Sequence, residues 1–112
     1  MSGIQHQTIA RRSDGTQAAE AWKQTLAPGA ATPPHSHECE EVIYILQGKG
    51  EIAIEGKTMR FGADCTRILP PCQVRQITNT GPEDMRLAAW LSESPARAFL
   101  PTGERIALPW DV

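Results

Sequence analysis

Cysteines and basic runs are scarce in this chain, and each scarcity excludes a class of protein. The three cysteines, Cys39, Cys65 and Cys72, are odd in number and form no Cys-x-x-Cys pair. This argues against a disulfide framework, a zinc knuckle and a redox dithiol. The longest basic run is Arg11-Arg12 and the net charge is −2, so the sequence does not favour a nucleic-acid partner.

Long apolar runs and nucleotide-binding or hydrolase motifs are also missing. No apolar stretch approaches the about 20 residues that a membrane-spanning helix needs, and residues 1–15 are polar, without the apolar core of a signal peptide. There is no glycine-rich phosphate loop and no Gly-x-Ser-x-Gly. With 112 residues, the chain is predicted to be a single cytoplasmic domain that binds neither membrane nor nucleic acid.

Short apolar segments separated by glycine or proline turns fill the middle of the chain. Alternation or β-branched composition predicts strands at 20–26, 42–46, 51–55, 58–61, 66–69, 73–78 and 85–91, the first of which could also be a short helical segment. Strands at this spacing predict an all-β sandwich or small barrel. Residues 1–16 are expected to form a loosely held arm and residues 17–112 the barrel domain, with an ordered, mostly irregular tail from Pro95 onward.

Two histidines and a carboxylate stand ahead of an apolar strand-like run. His35 and His37 lie two residues apart, so on a strand both rings would point to the same face. Along an unbroken strand Glu41 would lie roughly 13 Å from His37, so the chain is expected to turn across residues 38–40. Two imidazoles and one carboxylate form the facial ligand set of open divalent-metal sites. Histidine pairs at this spacing also arise by chance, so a metal site and bystander histidines both stay open at this point.

The spacing around these residues resembles the first motif of the cupin family. That motif is Gly, five residues, His-x-His, three or four residues, Glu, six residues and Gly. It is matched at every position, by Gly29, His35, His37, Glu41 and Gly48. The resemblance covers roughly residues 20–92 and implies a double-stranded β-helix, the cupin-type jelly-roll barrel. It also implies a homodimer in which edge strands pair between subunits.

The second cupin motif, Pro-x-Gly-x-x-His-x-x-x-Asn, is matched only in part. Pro70 and Asn79 fit it, whereas Cys72 stands where the family has Gly and Arg75 where it has a metal-binding His. Arginine stays protonated and offers no lone pair to a metal. Its positive charge also weakens the binding of a dication nearby.

Arg75 leaves three interpretations open. In the first, His35, His37 and Glu41 hold a divalent transition metal, namely Fe, Mn, Ni or Zn. Arg75 and Gln73 would then bind a small-molecule ligand, and Arg75 would favour an anionic one through forked contacts. In the second, Arg75 pairs with Glu41 and the pocket is metal-free. In the third, Arg75 points outward and is structural.

The resemblance implies a small-molecule function in one of two forms. One is a metal-dependent enzyme, for which oxygenase, isomerase and lyase chemistry all stay open because a fold does not fix a reaction. The other is a binding module or sensor that is metal-free or binds metal weakly. A purely structural role is a third option, and the complete first motif argues against it. No catalytic residue is assigned.

Overall fold

The computed structural model describes residues 2–107, and its regular structure is almost entirely β. Within these residues the strands are β1 Ile4–Ala10, β2 Glu20–Leu26, β3 Glu41–Gln47, β4 Lys49–Ile54, β5 Lys57–Gly62, β6 Thr66–Leu69, β7 Arg75–Asn79, β8 Met85–Leu91, β9 Ala98–Phe99 and β10 Arg105–Ile106. A single 3-10 turn, Arg12–Asp14, is the helical content of the described part. None of its helices is long and apolar enough to cross a membrane. The predicted all-β class is confirmed.

Two antiparallel sheets share one apolar core. The first has the order β1-β2-β8-β3-β6 and the second the order β5-β4-β7, while β9 and β10 form a separate pair. Buried side chains of both sheets belong to one cluster, which includes Trp22, Ile43 and Leu87 from the first sheet and Ile52, Phe61 and Ile77 from the second. The structure is therefore a barrel-like double sheet whose interior is bounded by both layers.

Strand alternation decides which side chains reach that interior. On β8, Met85, Leu87 and Leu91 are buried, while Arg86 and Trp90 face solvent. The period of two along a strand produces this separation and was the signal that predicted the strand. The segment 20–26, for which a helical alternative was open, is strand β2.

Residues 4–10 are not the loosely held arm that their polar composition indicated. They form β1, which pairs antiparallel with β2 from Ile4 opposite Leu26 to Ala10 opposite Ala21. Residues of β1 alternate between half-buried and exposed, as expected for the last strand of a sheet. Edge strands often carry polar residues, which is why the apolar periodicity was too weak to reveal this one.

The tail lies against the segment that carries the two motif histidines. The backbone N–H groups of Ser36 and Phe99 each donate to the other residue's carbonyl at 2.9 Å. Phe99 of β9 is in turn opposite Arg105 of β10. The ordered tail that was predicted from Pro95 onward thus contains two short strands, and its final residues, 108–112, lie outside the described residues.

Candidate functional site

Backbone pairing holds the two motif histidines in an extended segment beside β7. The N–H of His35 donates to the carbonyl of Arg75 at 3.0 Å, and the N–H of Arg75 donates back at 2.8 Å. Since alternate residues of an extended chain share a face, His35 and His37 point the same way. Their ring centroids lie 5.0 Å apart in an edge-to-face arrangement.

A backbone carbonyl orients each ring. Nδ1 of His35 lies 2.7 Å from the carbonyl oxygen of Pro33, and Nδ1 of His37 lies 2.8 Å from that of Arg97. A carbonyl oxygen only accepts, so Nδ1 carries the proton in each neutral ring and Nε2 keeps its lone pair. This arrangement suits two hydrogen-bond acceptors or two metal ligands.

Burial keeps both imidazoles uncharged near neutral pH. It lowers the pKa of His37 to about 4, and the charge of Arg75 acts in the same direction while the Arg97 carbonyl opposes it. Burial is also the largest cause that lowers the pKa of His35, followed by the neighbouring His37. Since desolvation disfavours the charged form, the two rings present lone pairs rather than positive charge.

Glu41 is turned into the barrel and paired with Arg75. It is the first residue of β3, and only 4% of its surface is exposed. Its Oε1 accepts a hydrogen bond from Nη1 of Arg75 at 3.0 Å, and the Arg75 side chain is fully buried. Burial raises the pKa of Glu41, and the guanidinium opposes that rise. This is the contact that the second interpretation of Arg75 predicted.

The remaining contacts of the guanidinium are with the loop before β7. Nη2 of Arg75 donates to the carbonyl of Pro70 at 2.7 Å and Nε to that of Gln73 at 3.1 Å. A buried guanidinium needs such partners because an unpaired charge is costly in the interior. Arg75 therefore stands behind Glu41 and does not line the cavity between the sheets. Gln73 lines a different place, a surface depression beside Ile54 and Lys57. The structure does not bring the two predicted ligand-binding residues to the cavity.

The three residues predicted as metal ligands line a common cavity of about 140 Å³. An apolar cavity of about 150 Å³ is enough to hold a benzene-sized molecule. The rest of the wall is largely apolar and consists of Trp22, Gln24, Thr32, Pro33, Ile43, Ile77, Leu87, Ala98, Ile106 and Ala107. The cavity lies between the two sheets, and the β9–β10 pair contributes to its wall.

The donor set, as placed, does not fit a divalent metal. Such an ion needs ligand atoms about 2.0–2.2 Å away, and one oxygen of Glu41 is taken by Arg75. Within the described residues, no group of three or more His, Cys, Asp or Glu side chains is arranged to hold an ion. The guanidinium would also repel the metal, since unit charges 4 Å apart interact by about 4 kcal/mol at an effective dielectric constant of about 20, and a dication doubles this. The rings of His35 and His37 lie on one face, but one oxygen of the Glu41 carboxylate is already paired with a cation.

The other motif residues have structural roles. Gly48 has φ of +86°, and a Cβ there would come within 3.0 Å of the backbone of Asp84 and Met85. Asn79 is buried and ties three segments together: its Nδ2 donates to the carbonyls of Leu26 and Glu83, and its Oδ1 accepts from the N–H of Gly81. These positions match the motif because the turn at Gly48 and the hydrogen bonds of the Asn79 side chain are part of the fold.

Sequence reasoning missed the residues that support His37. Arg97 supplies the carbonyl that orients the ring, and its side chain makes forked hydrogen bonds to Glu93 at 3.0 and 2.8 Å. The Trp22 ring lies 6.3 Å from the His37 ring across the cavity. Inward parity on β2 could have indicated Trp22, but a backbone carbonyl sixty residues away in sequence leaves no signal.

Solved structures share this fold at low sequence identity. A Klebsiella pneumoniae protein with a double-stranded β-helix domain superimposes with a TM-score of 0.78 at 19% identity, covering 88% of this chain and 84% of that one. Oxalate decarboxylase from Lactobacillus farciminis, in a formate complex, gives 0.82 at 18% identity over 90% of this chain and 32% of that one. These likenesses confirm the predicted double-stranded β-helix and say nothing further of activity.

Sequence comparison gives the family. Auxin-binding protein 1 of Arabidopsis thaliana is 35% identical over 108 residues, which is 88% of this chain and 54% of that protein. The chain spans little more than half the length of the auxin-binding proteins that it matches over most of its residues. The family model described as Cupin domain matches residues 22–91. Because that match takes in the barrel from β2 to β8, the chain belongs to the cupin family.

Proposed function

We propose that this protein is a small-molecule-binding cupin whose cavity takes a compact, largely apolar ligand with one hydrogen-bond donor. The observation that carries the proposal is the cavity itself: its volume of about 140 Å³ suits a single ring, and two imidazoles stand together in a mainly apolar wall. The similarity to proteins named for binding auxin supports a binding role without identifying the ligand.

Recognition would depend on the lone pairs of the two Nε2 atoms. Both Nδ1 atoms are committed to carbonyls, so His35 and His37 can accept from a hydroxyl, an N–H or a protonated carboxyl group. In an apolar cavity a donor without a partner costs about 1–3 kcal/mol. The imidazoles would therefore orient the ligand, while Trp22, Ile43 and Leu87 would bury its ring.

Tryptophan fluorescence can test this with ligands that differ by one group. Titration with phenol and with toluene would use a background in which Trp90 and Trp110 are Phe, so that Trp22 is the reporter. One hydrogen bond makes phenol about tenfold tighter than toluene. His37→Ala together with His35→Ala is expected to remove that preference and keep toluene binding. Equal affinity of the two ligands for the starting protein, or binding of neither, would refute the proposal.

A metal-dependent enzyme is the second candidate, favoured by the complete first motif and the two free Nε2 atoms. His35, His37 and Glu41 would hold Fe, Mn, Ni or Zn, which would supply Lewis-acid or oxygen chemistry for an oxygenase, isomerase or lyase. This candidate requires Glu41 to leave Arg75 or to bind the ion through its other oxygen, Oε2. One transition-metal ion per chain in elemental analysis of the purified protein would support it over the binding module.

The homodimer stays a prediction. The outer strands β1 and β6 of the larger sheet leave unpaired edges within the described structure, and unpaired edges are where a second copy can add. Light scattering at low micromolar concentration is expected to give twice the chain mass. A monomer mass would argue against it.

A further inference from the structure

We propose that Arg75 is a buried cation behind Glu41 and that it excludes a divalent metal from His35, His37 and Glu41. Its guanidinium balances the carboxylate that a metal would otherwise need. Replacing this one residue with histidine would turn the pocket into a transition-metal site. The inference concerns the metal preference of the site and stands whether or not the cavity binds the ligand proposed above.

Arg75 is placed for this role by the backbone. It is paired directly with His35 through two reciprocal hydrogen bonds, which brings its side chain beside the two imidazoles. From there the guanidinium reaches Glu41 at 3.0 Å, with the side chain fully buried. Arginine is rarely buried to this degree unless it is paired. The carboxylate and the guanidinium therefore stabilise each other inside the barrel.

The carbonyls of Pro70 and Gln73 complete the setting of the guanidinium. They accept from Nη2 and Nε, so Arg75 donates to three different groups in all. A planar fork held on several sides has little freedom to swing away from Glu41. For a metal to take Oε1 of Glu41, the hydrogen bond from Nη1 would have to break, and the two carbonyl contacts hold the guanidinium against that change.

The charges of the pocket are balanced without a metal. The carboxylate and the guanidinium cancel, and both imidazoles are neutral donors to carbonyls through Nδ1. A dication would leave two uncompensated positive charges in a buried place. The Glu93 carboxylate is held in a fork by Arg97 and is not free to act as a second counter-charge. The guanidinium and a metal would therefore compete for the negative charge of the same carboxylate.

The test compares the starting protein with Arg75→His and Arg75→Gln, each stripped with a chelator and titrated with Zn²⁺ by calorimetry. Histidine adds a lone pair and frees Glu41, so Arg75→His is expected to bind one Zn²⁺ per chain about 100-fold more tightly than the starting protein. Arg75→Gln, which frees Glu41 without adding a ligand, is expected to lie between them. Adding His37→Ala to Arg75→His should abolish the gain, because the ion then lacks a ligand.

Thermal melting gives a second measurement. A ligand that binds only the folded state raises its melting temperature, so Zn²⁺ should stabilise Arg75→His and leave the starting protein unchanged. If the starting protein binds one Zn²⁺ with an affinity within about tenfold of Arg75→His, and loses it on His37→Ala, the proposal is overturned. If Arg75→His does not fold even with Zn²⁺, the starting protein and Arg75→Gln still decide: equal affinity of these two for Zn²⁺ overturns it. Phenol binding is measured separately, so a failure of the proposed binding function is distinguishable from a failure of the proposal about Arg75.

Discussion

The two motif segments of this cupin line the same pocket, but they depart from the family pattern to different degrees. The first, from Gly29 to Gly48, matches at every position, whereas the second, from Pro70 to Asn79, differs at two. In the structure the second segment keeps the backbone conformation that a glycine favours: Cys72 has φ of +67°, in the left-handed region that glycine adopts without steric cost. The departures thus leave the fold in place and remove a lone pair from the pocket.

The comparison separates residues that shape the barrel from those that set its chemistry. Asn79 and Gly48 hold turns and strands together, and their roles do not involve the cavity. Arg75 occupies a position of the barrel wall that reaches Glu41, and its side chain has changed from a lone-pair donor to a cation. A motif position can therefore keep its geometry and exchange its function, and the four predictions below test this.

Breaking the buried pair should have the largest effect. Glu41→Gln leaves the Arg75 guanidinium in the interior without its counter-charge, which typically costs about 3–5 kcal/mol. The free energy of unfolding, measured by urea denaturation, should fall by that amount.

The matched control is Glu51→Gln. Glu51 forms an ion pair with Arg60, and the exposed fraction of the side chain is 36% for Glu51 and 92% for Arg60. Exposed pairs contribute about 0–1 kcal/mol. A loss for Glu41→Gln no larger than that of the control would mean that Arg75 does not depend on Glu41.

Acid should be the next most damaging change, through His37. Burial lowers its pKa from 6.5 to about 4 in the folded protein. The unfolded chain therefore binds the proton at a higher pH than the folded protein does. The contribution of His37 to the free energy of unfolding is fully present above pH 6.5 and is lost as the pH falls towards 4. The loss from this one residue amounts to about 3 kcal/mol.

The measurement is the free energy of unfolding at pH 7 and at pH 4.5, in the starting protein and in His37→Gln. The difference between the two pH profiles isolates His37 from the other titrating groups, among them His6, whose pKa is also lowered to about 4. Parallel profiles would show that His37 is not desolvated in solution.

Some of these structural features could be predicted from the sequence and others could not. Strands β2 to β8 were predictable because period-two burial and turn residues are local signals, and the shared face of His35 and His37 follows from the same parity. Strand β1 was missed because a polar edge strand has little apolar periodicity. The partner of Arg75 was one of three options, since Glu41 is 34 residues away and the choice depends on how the loop before β7 closes.

Removing the hydrogen bonds of the Asn79 side chain should lower the free energy of unfolding by less than breaking the Arg75–Glu41 ion pair. Asn79→Ala leaves the N–H of Gly81 and the carbonyls of Leu26 and Glu83 without their side-chain partner. The expected loss in unfolding free energy is about 2 kcal/mol, since buried polar groups lose their hydrogen bonds. Gln76→Ala on the same strand, whose side chain makes one hydrogen bond to Thr32, is the control and should cost less. Equal losses would remove the special role of the motif asparagine.

The smallest expected effect is a gain, and it sharpens the comparison at the position where the second motif lost its glycine. Cys72 is exposed and adopts φ of +67°, a conformation that costs a residue with a Cβ about 1–2 kcal/mol. Cys72→Gly relieves this strain, although the greater freedom of glycine in the unfolded chain offsets part of it, so a net stabilisation of about 0.5–1 kcal/mol is expected by urea denaturation. Cys72→Ala removes the same thiol and keeps the strain, so it should give no gain. If the two variants were equally stable, the backbone at residue 72 would not be strained in solution, and the thiol rather than the conformation would explain any change.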